Sequence, residues 1–169
     1  IERVLVRKET TLTLSPRFAG HGLYLDAVHG AEIIDCTAEE VLTNGLQIEG
    51  GSGISVRDCV LAEKVGGGTF GSGLTCSGSD CSFERITIQG FNQGGGAGVR
   101  FSGALRCTLK HSSADGSASH DFVILDSEDC AVEDSAFGSA RMVGSTGLRW
   151  VQNTVSDAGP NIVVRECSD

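Results

Sequence analysis

Proline is nearly absent from this chain, with two residues in 169. Turns built on proline are therefore excluded almost everywhere, and the 24 glycines, together with Ser, Asn and Asp, have to supply the turns. Long apolar runs are missing as well, because none approaches the ~18 residues that a membrane-spanning helix needs. The sequence thus predicts many tight turns and no membrane span.

Basic residues are in the minority, 13 against 22 acidic residues, which gives a net charge of -9. This balance excludes nucleic acid as a partner, because binding to phosphates requires a basic face. Apolar residues still make up 40% of the chain, enough to build a core. The opening residues "IERVLV" already have the composition of a strand, so we expect the sequence to be part of a longer polypeptide.

Short alternating runs of apolar residues recur along the sequence in groups of three. In the clearest group the runs are Leu46-x-Ile48, Ile54-x-Val56 and, after a step of three residues in place of two, Cys59-x-Leu61. The same frame fits groups that begin at residues 23, 46, 74, 99, 122 and 140, and another group opens with Ile162-x-Val164. In the six complete groups 33 of 36 framed positions are apolar, where chance would give about 14 at the overall composition.

This repeat predicts the fold. Runs with a period of 2 are strands, each too short to be stable alone, but coils stacked on one another bury a continuous core. Parallel crossovers are right-handed. We therefore predict an all-β fold, a right-handed parallel β-helix solenoid of six to seven coils with three short strands each, formed by residues 1–169 as a single domain. The three-residue step should be a turn in which one residue per coil points outward, namely Asp35, Asp58, Arg85, His111, Asp134 and Gln152.

The three polar exceptions to the frame occupy one slot, the first position of the third run, in consecutive groups: Ser112, Ser135 and Asn153. A polar residue that recurs at one inward slot predicts a hydrogen-bonded ladder, because an unpaired buried polar group costs ~1–3 kcal/mol. The ladder should begin at Ser112, since earlier groups hold Cys or Ile there. Asn153→Ala should destabilise more than Ser135→Ala, because it removes both a donor and an acceptor.

The coil pattern over residues 20–167 resembles the pectin-lyase-like β-helix superfamily. Its members include pectate lyases, polygalacturonases, mannuronan C-5 epimerases and the tailspikes and tail fibres of phages. The resemblance implies the right-handed β-helix and a function connected with polysaccharides. It rests on the coil pattern, and one fold hosts many activities.

Seven cysteines raise the question of disulfides or a metal site. Cys36 and Cys59 share one inward slot, and Cys81, Cys107 and Cys130 share another. Neighbouring coils lie ~4.8 Å apart with parallel side chains, whereas the Cβ atoms of a disulfide prefer ~3.8 Å. The sequence also lacks the Cys-x-x-Cys or Cys/His spacing typical of zinc. We favour buried thiols over disulfides and expect no metal site.

The frame also predicts the burial of aromatic residues, the pairing of outward charges and the place of two glycine clusters. Phe83 and Trp150 share an inward slot and should be fully buried, while Tyr24 and Phe91 are the aromatic residues expected to be exposed. Outward charges alternate along the second strands and should form a salt-bridged ladder of Arg57, Glu84, Lys110 and Glu133. Glycine clusters at 65–73 and 90–98 are either flexible insertions or the wall of a ligand groove.

The connection between each third strand and the next first strand gathers the candidate site residues. The candidate catalytic residues are Arg100, Asp115, His120 and Asp121, and the candidate substrate-binding residues are Tyr24, Lys64, Asn92 and Gln93. The pair His120-Asp121 is similar to the end of the Asp-Pro-His-Asp motif of mannuronan epimerases, with Ala118-Ser119 in place of Asp-Pro. Such a group can transfer a proton and stabilise charge at a sugar uronate, but polar residues also gather on loop edges without catalysis.

Two functions remain open. One is a β-helix that binds or processes a polysaccharide, as a lyase, hydrolase or epimerase; the other is a non-catalytic structural module of a phage tailspike, tail fibre or surface adhesin. Whether the protein is an enzyme stays undecided, and no cofactor is expected, although Ca2+ would be the cation to bridge an acidic protein to an anionic sugar. The expected partners are a polysaccharide and either a homotrimer or neighbouring β-helix coils of the same chain. The expected location is extracellular, at a cell surface or in a virion.

Overall fold

A computed structural model describes residues 5–7, 21–63, 71–91, 96–117, 120–156 and 162–168. These residues form eighteen strands and no helix, so no helix among them is long and apolar enough to cross a membrane. In chain order the strands are β1 Leu5–Arg7, β2 Leu23–Asp26, β3 Glu32–Ile34, β4 Thr37–Val41, β5 Leu46–Glu49, β6 Ser55–Glu63, β7 Leu74–Cys76, β8 Ser82–Gln89, β9 Ala97–Ser102, β10 Thr108–Lys110, β11 Ser113–Asp115, β12 His120–Leu125, β13 Ala131–Glu133, β14 Ala136–Phe137, β15 Ala140–Val143, β16 Arg149–Val151, β17 Thr154–Val155 and β18 Ile162–Arg165.

The strands pair in parallel and build a stack of levels, which we number 1 to 7 from β2 to β18. The first face is a seven-stranded sheet in the order β2, β5, β7, β9, β12, β15, β18. The second face runs β1, β3, β6, β8, β10, β13, β16, and the third face contains β4, β11, β14 and β17. The second and third faces form a single sheet because β6 and β8 continue around the corner between them.

The register confirms the frame predicted from the sequence. On the first face Leu46 pairs with Leu23 and Leu74, and on the second face Val56 pairs with Ile33 and Phe83. The all-β parallel solenoid is thus confirmed. It amounts to about five turns, slightly fewer than the predicted six to seven coils.

The three-residue step is the corner between the second and third faces, as predicted. The residue in the middle of each step has a left-handed backbone, with φ between 48° and 57°, and an exposed side chain: Asp35, Asp58, Arg85, His111, Asp134 and Gln152. A left-handed residue reverses the pleat for one position, so the next side chain points inward again. Two levels are joined at this corner, since Arg85 binds both carboxylate oxygens of Asp58, at 2.6 Å and 3.1 Å.

Inward side chains from all three faces form one core. Phe83 is buried, as predicted, and starts a chain of aromatic contacts with Phe101 at 5.6 Å and from there to Phe122 at 6.0 Å between ring centroids. The prediction of full burial for Trp150 was wrong: it is only partly buried, because few levels cover it on the C-terminal side. Exposure of Phe91 was also wrong, since its ring is fully buried.

The predicted polar ladder lies at the corner between the second and third faces, which we call the second corner. It is confirmed and begins at Ser112. The hydroxyl of Ser112 accepts a hydrogen bond from the backbone N–H of Ile86 at 3.0 Å, and Ser135 does the same for Ser112 at 3.1 Å. The side-chain oxygen of Asn153 then accepts the N–H of Ser135 at 2.9 Å. Each level therefore supplies an acceptor to the backbone of the level before it.

A second serine ladder was not predicted. At the corner between the first and second faces, the hydroxyl of Ser127 accepts the N–H of Ala104 at 3.1 Å, and that of Ser145 accepts the N–H of Ser127 at 3.1 Å. The predicted salt-bridged ladder is present in part: Lys110 pairs with Glu133 at 2.9 Å, but Glu84 pairs with Arg85 of its own turn. None of the seven cysteines, all within the described residues, forms a disulfide.

Candidate functional site

One line of side chains runs the length of the first face on its outer side, at the middle position of each strand. We call it the outer column; its members are Tyr24, Gln47, Thr75, Arg100, Val123, Arg141 and Val163. The column spans six steps between levels, about 29 Å at ~4.8 Å per step. Two residues predicted from the sequence as site residues, Tyr24 and Arg100, thus lie in one line.

The N-terminal end of the outer column is a polar network. The hydroxyl of Tyr24 donates to the carboxylate of Glu49, and Gln47 bridges Glu49 to Asn44. The oxygen of Asn44 accepts the backbone N–H of Ser72 at 2.7 Å, which ties the network to the next level. The hydrogen bond to Glu49 is the main reason why the pKa of Tyr24 is raised, to about 12. Tyr24 is therefore a neutral, oriented hydroxyl under ordinary conditions.

The C-terminal half of the column is basic and partly apolar. Arg100 and Arg141 flank Val123 in register, one level to each side. Val123 is 4% exposed although it points outward, and the Nε atom of Arg100 is buried with no hydrogen-bond partner among the described residues. Sequence reasoning missed Arg141, because its place beside Arg100 depends on the register of three levels.

His120 begins β12 at the edge of this basic region. Burial lowers the pKa of His120 below its ordinary value of 6.5, and the positive charge of Arg141 lowers it further. His120 pairs with Ala97, three residues before Arg100, so about 10 Å of strand separates it from Arg100 along the sheet. The imidazole is accordingly neutral near pH 7 and able to accept a proton.

Asp121 does not have the exposed position that a catalytic carboxylate would need. It is 3% exposed, and its two oxygens accept the backbone N–H groups of Ser117 at 2.9 Å and Ser139 at 3.0 Å. It occupies the position directly before the first inward residue of its level, Phe122, and earlier levels fill this position with glycine: Gly22, Gly45, Gly73 and Gly98. A Cβ atom at Gly98 would lie 2.6 Å from the Cβ of Ala114, so this row of stacked positions is tightly packed. Asp121 braces this corner and is not accessible to a substrate.

The remaining predicted residues are not all brought to this place. Asp115 is exposed at the end of β11, across the third-to-first connection from His120. Lys64, Asn92 and Gln93 lie outside the described residues. The described candidate site therefore consists of the outer column with His120 and Asp115 at its edge.

This arrangement suits an extended anionic ligand. Two guanidinium groups two levels apart can each hold a carboxylate or sulfate. The polar network around Tyr24 supplies donors and acceptors for hydroxyl groups further along the same line. The neutral imidazole of His120, at the edge of this basic region, is a group that can accept a proton.

Comparison with known families identifies the class of protein. The family model described as the right-handed beta helix region matches residues 21–168, and the chain belongs to this family. A search of curated proteins found no significant match.

Two solved structures to which the chain is similar are trypsin-treated variants of QnrB1, a plasmid-mediated fluoroquinolone resistance protein. One has 11% sequence identity and a TM-score of 0.30, and the match covers 98% of this chain and 80% of the other. The second has 8% identity and a TM-score of 0.21, with 99% and 91% covered. At these TM-scores the likeness says nothing about activity and lends no support to polysaccharide processing.

Proposed function

We propose that this β-helix binds an anionic polysaccharide along the outer column of its first face. The observation that supports the proposal most directly is the register that sets Arg100 and Arg141 on either side of Val123 in a chain whose net charge is -9. Two arginines in one line on an acidic protein are a specific feature, because general electrostatics would repel an anion. Membership of the pectin-lyase-like superfamily, and a location outside the cell or on a virion, are parts of the same proposal.

The repeat of the solenoid supports an extended ligand. Successive levels present equivalent outward positions every ~4.8 Å, a spacing close to the length of one sugar unit in an extended chain. A polymer lying along the column would place acidic groups on the arginines at one end and hydroxyl groups on Tyr24 and Gln47 at the other. Affinity would thus be distributed over several levels.

Binding to a panel of alginate, pectin and bacterial capsule preparations tests the proposal. Arg100→Ala and Arg141→Ala should each weaken binding of an acidic polymer about tenfold or more, because each removes a charge-assisted hydrogen bond. The matched control is Arg57→Ala, an exposed arginine on the second face, which should bind as the unchanged protein does. Equal losses in all three variants, or no binding to any acidic polymer, would refute the proposal.

Two further arms of the same experiment address Ca2+ and catalysis. If a cation bridges the ligand to Asp26 and Glu49, adjacent in register on the first face, EDTA should weaken binding and Ca2+ restore it. Unsaturated sugars or new reducing ends would identify a lyase or a hydrolase, and His120→Ala should then abolish turnover while Arg57→Ala does not. Binding without any product would define a binding module.

A second candidate is a structural module that stacks on further β-helical layers, and one observation favours it. On β18, at the last level of the stack, the side chains in the inward frame are largely exposed: Ile162 by 50% and Val164 by 57%. Another layer of strands, from further coils or from a trimer, would cover them and pair the edge of β18.

Light scattering and native mass spectrometry of the protein distinguish this candidate. A trimer or a longer association that Val164→Glu disrupts would support it, while the outward substitution Val163→Glu at the same strand serves as the control. A monomer at all concentrations would count against the structural module and leave the polysaccharide proposal untouched.

A further inference from the structure

Four thiols lie together in the core at the corner between the first and second faces. Cys76 ends β7, and Cys81 follows it across the same corner. Cys107 is stacked directly beneath Cys81, because the residues that follow them, Thr108 and Ser82, are paired in register. Cys130 continues the stack at the next level.

Three of these thiols are close enough to share one ligand. The sulfur atoms of Cys76, Cys81 and Cys107 lie within 4.8 Å of one another, and each residue is 1% exposed or less. A metal ion bound at ~2.3 Å from three sulfurs in a plane would hold them about 4 Å apart. The observed triangle therefore needs to contract by less than about 1 Å, which side-chain rotation can supply. Among the described residues, no His, Asp or Glu side chain belongs to this group of sulfur atoms.

We propose that Cys76, Cys81 and Cys107 form a buried three-sulfur site for Cu(I). Soft sulfur ligands select soft ions, and Cu(I) accepts a three-coordinate environment whereas a structural Zn2+ site is tetrahedral. A monovalent ion is neutralised by one thiolate, so the site avoids the cost of burying a net charge in the dry core. The binding step exchanges one proton for one ion: the S–H bond of one cysteine of the cluster breaks, the proton leaves to solvent, and a Cu–S bond forms with no change of oxidation state.

The competing account is that the thiols only fill space. In the structure they donate to backbone carbonyls, Cys81 to Ser79 at 3.4 Å and Cys107 to Gly78 at 3.4 Å, as small protonated side chains do. Cys36 and Cys59 at the second corner make similar contacts with carbonyls, but only two thiols meet there. This second pair provides a built-in control for what stacked cysteines do without a third sulfur.

Anaerobic titration of the reduced protein with Cu(I), in competition with a chromophoric Cu(I) chelator, tests the proposal. We expect one ion retained per chain, about one proton released per ion, a sulfur-to-copper charge-transfer band in the ultraviolet, and three sulfur neighbours by X-ray absorption. Cys81→Ala and Cys107→Ala should lose the retained ion, while Cys59→Ala, an equally buried thiol outside the cluster, should keep it. Circular dichroism of each variant establishes that it is folded, and the X-ray absorption of the unchanged protein stands even where a variant fails to fold.

Several results would overturn the proposal. These are no retained copper, copper bound equally by Cys81→Ala and the unchanged protein, loss of copper in Cys59→Ala alone, or fewer than three sulfur neighbours. Zn2+ held more tightly than Cu(I) in a parallel titration would refute the choice of metal. The site is independent of the outer column, so these outcomes do not bear on polysaccharide binding.

Discussion

Removing one rung of the serine ladder should cost about 2 kcal/mol. In Ser135→Ala the chain loses the hydroxyl that accepts the N–H of Ser112 at 3.1 Å and donates to the carbonyl of Glu133 at 2.8 Å. The orphaned N–H belongs to Ser112, which is 4% exposed, so water cannot readily replace the lost acceptor. A buried donor left unsatisfied costs ~1–3 kcal/mol, and the small methyl group leaves little cavity.

The chain itself suggests an intermediate variant. Cys59 occupies the same slot three levels earlier and donates to the carbonyl of Arg57 at 3.2 Å, much as Ser135 donates to Glu133. Ser135→Cys should therefore keep the donated bond but offer only a weak sulfur acceptor to the backbone, so its loss of stability should fall below that of Ser135→Ala.

Urea denaturation and thermal melting measure these effects. For a chain of this size ~2 kcal/mol corresponds to a lowering of Tm by about 4–8 °C, and the urea m-value should not change. Ser82→Ala is the control, because Ser82 is an exposed, outward residue on β8 and should shift stability by less than about 0.5 kcal/mol. Equal stability of Ser135→Ala and Ser82→Ala would refute the ladder as a source of stability.

The structure also changes an expectation formed on the sequence. On the sequence alone we expect Asn153→Ala to cost more than Ser135→Ala, because it removes both a donor and an acceptor, and in the structure Asn153 does donate to the carbonyl of Val132 at 2.8 Å. Asn153 is only half-buried, however, whereas Ser135 is 3% exposed. Water can take over the bonds of Asn153, so we now expect Ser135→Ala to be the more destabilising of the two.

Three other outcomes follow from packing and charge. Phe83→Ala should cost about 3–5 kcal/mol in denaturant unfolding, because it empties a buried aromatic site, and an unchanged stability would contradict the inward frame. Gly51→Ala should destabilise the protein more than Gly103→Ala. Both glycines have a left-handed backbone, but a Cβ atom at Gly51 would overlap a carbonyl of the neighbouring level, whereas no atom lies near a Cβ at Gly103. Similar melting temperatures of the two variants would contradict the spacing of the levels. The hydrogen bond from Arg106 lowers the pKa of Asp80 below its ordinary value of 3.8, so this pair contributes stability above that pH and loses it as the pH falls further. An acid titration of stability should be shallower in Asp80→Asn, and an identical acid limb in both proteins would contradict this contribution.

The inward frame and the second corner were predictable because their causes are local. Alternation such as that of Leu46 and Ile48 determines which side of a strand is buried, and it does so within three residues. The corner at Asp58 or Asp134 always has the same length, because one left-handed residue between two short strands leaves no room for variation. The position that follows this corner, held by Ser112 and Ser135, can therefore be identified in each coil from the sequence.

Register after the connection from the third face to the first face could not be predicted in this way, because the length of that connection varies from level to level. Nothing local shows that Asp121 takes the place of Gly98 in one column, or that Arg141 stands beside Arg100 across Val123. Both facts depend on register after connections of unequal length. The sites proposed here arise in the same way: residues distant in the chain meet only where the stack aligns them.

The burial of side chains depends partly on local sequence and partly on the tertiary structure. The sequence by itself determined that this chain forms strands with one apolar side, that three such strands make a coil, and that the coils stack, because period-2 patterning and tight turns act over a few residues. Whether an inward residue is actually covered was decided only by the tertiary structure, since that depends on the levels above and below. Phe83 in the middle of the stack is sealed, Trp150 near its C-terminal end is not, and Phe91 is enclosed although it lies outside the alternating runs.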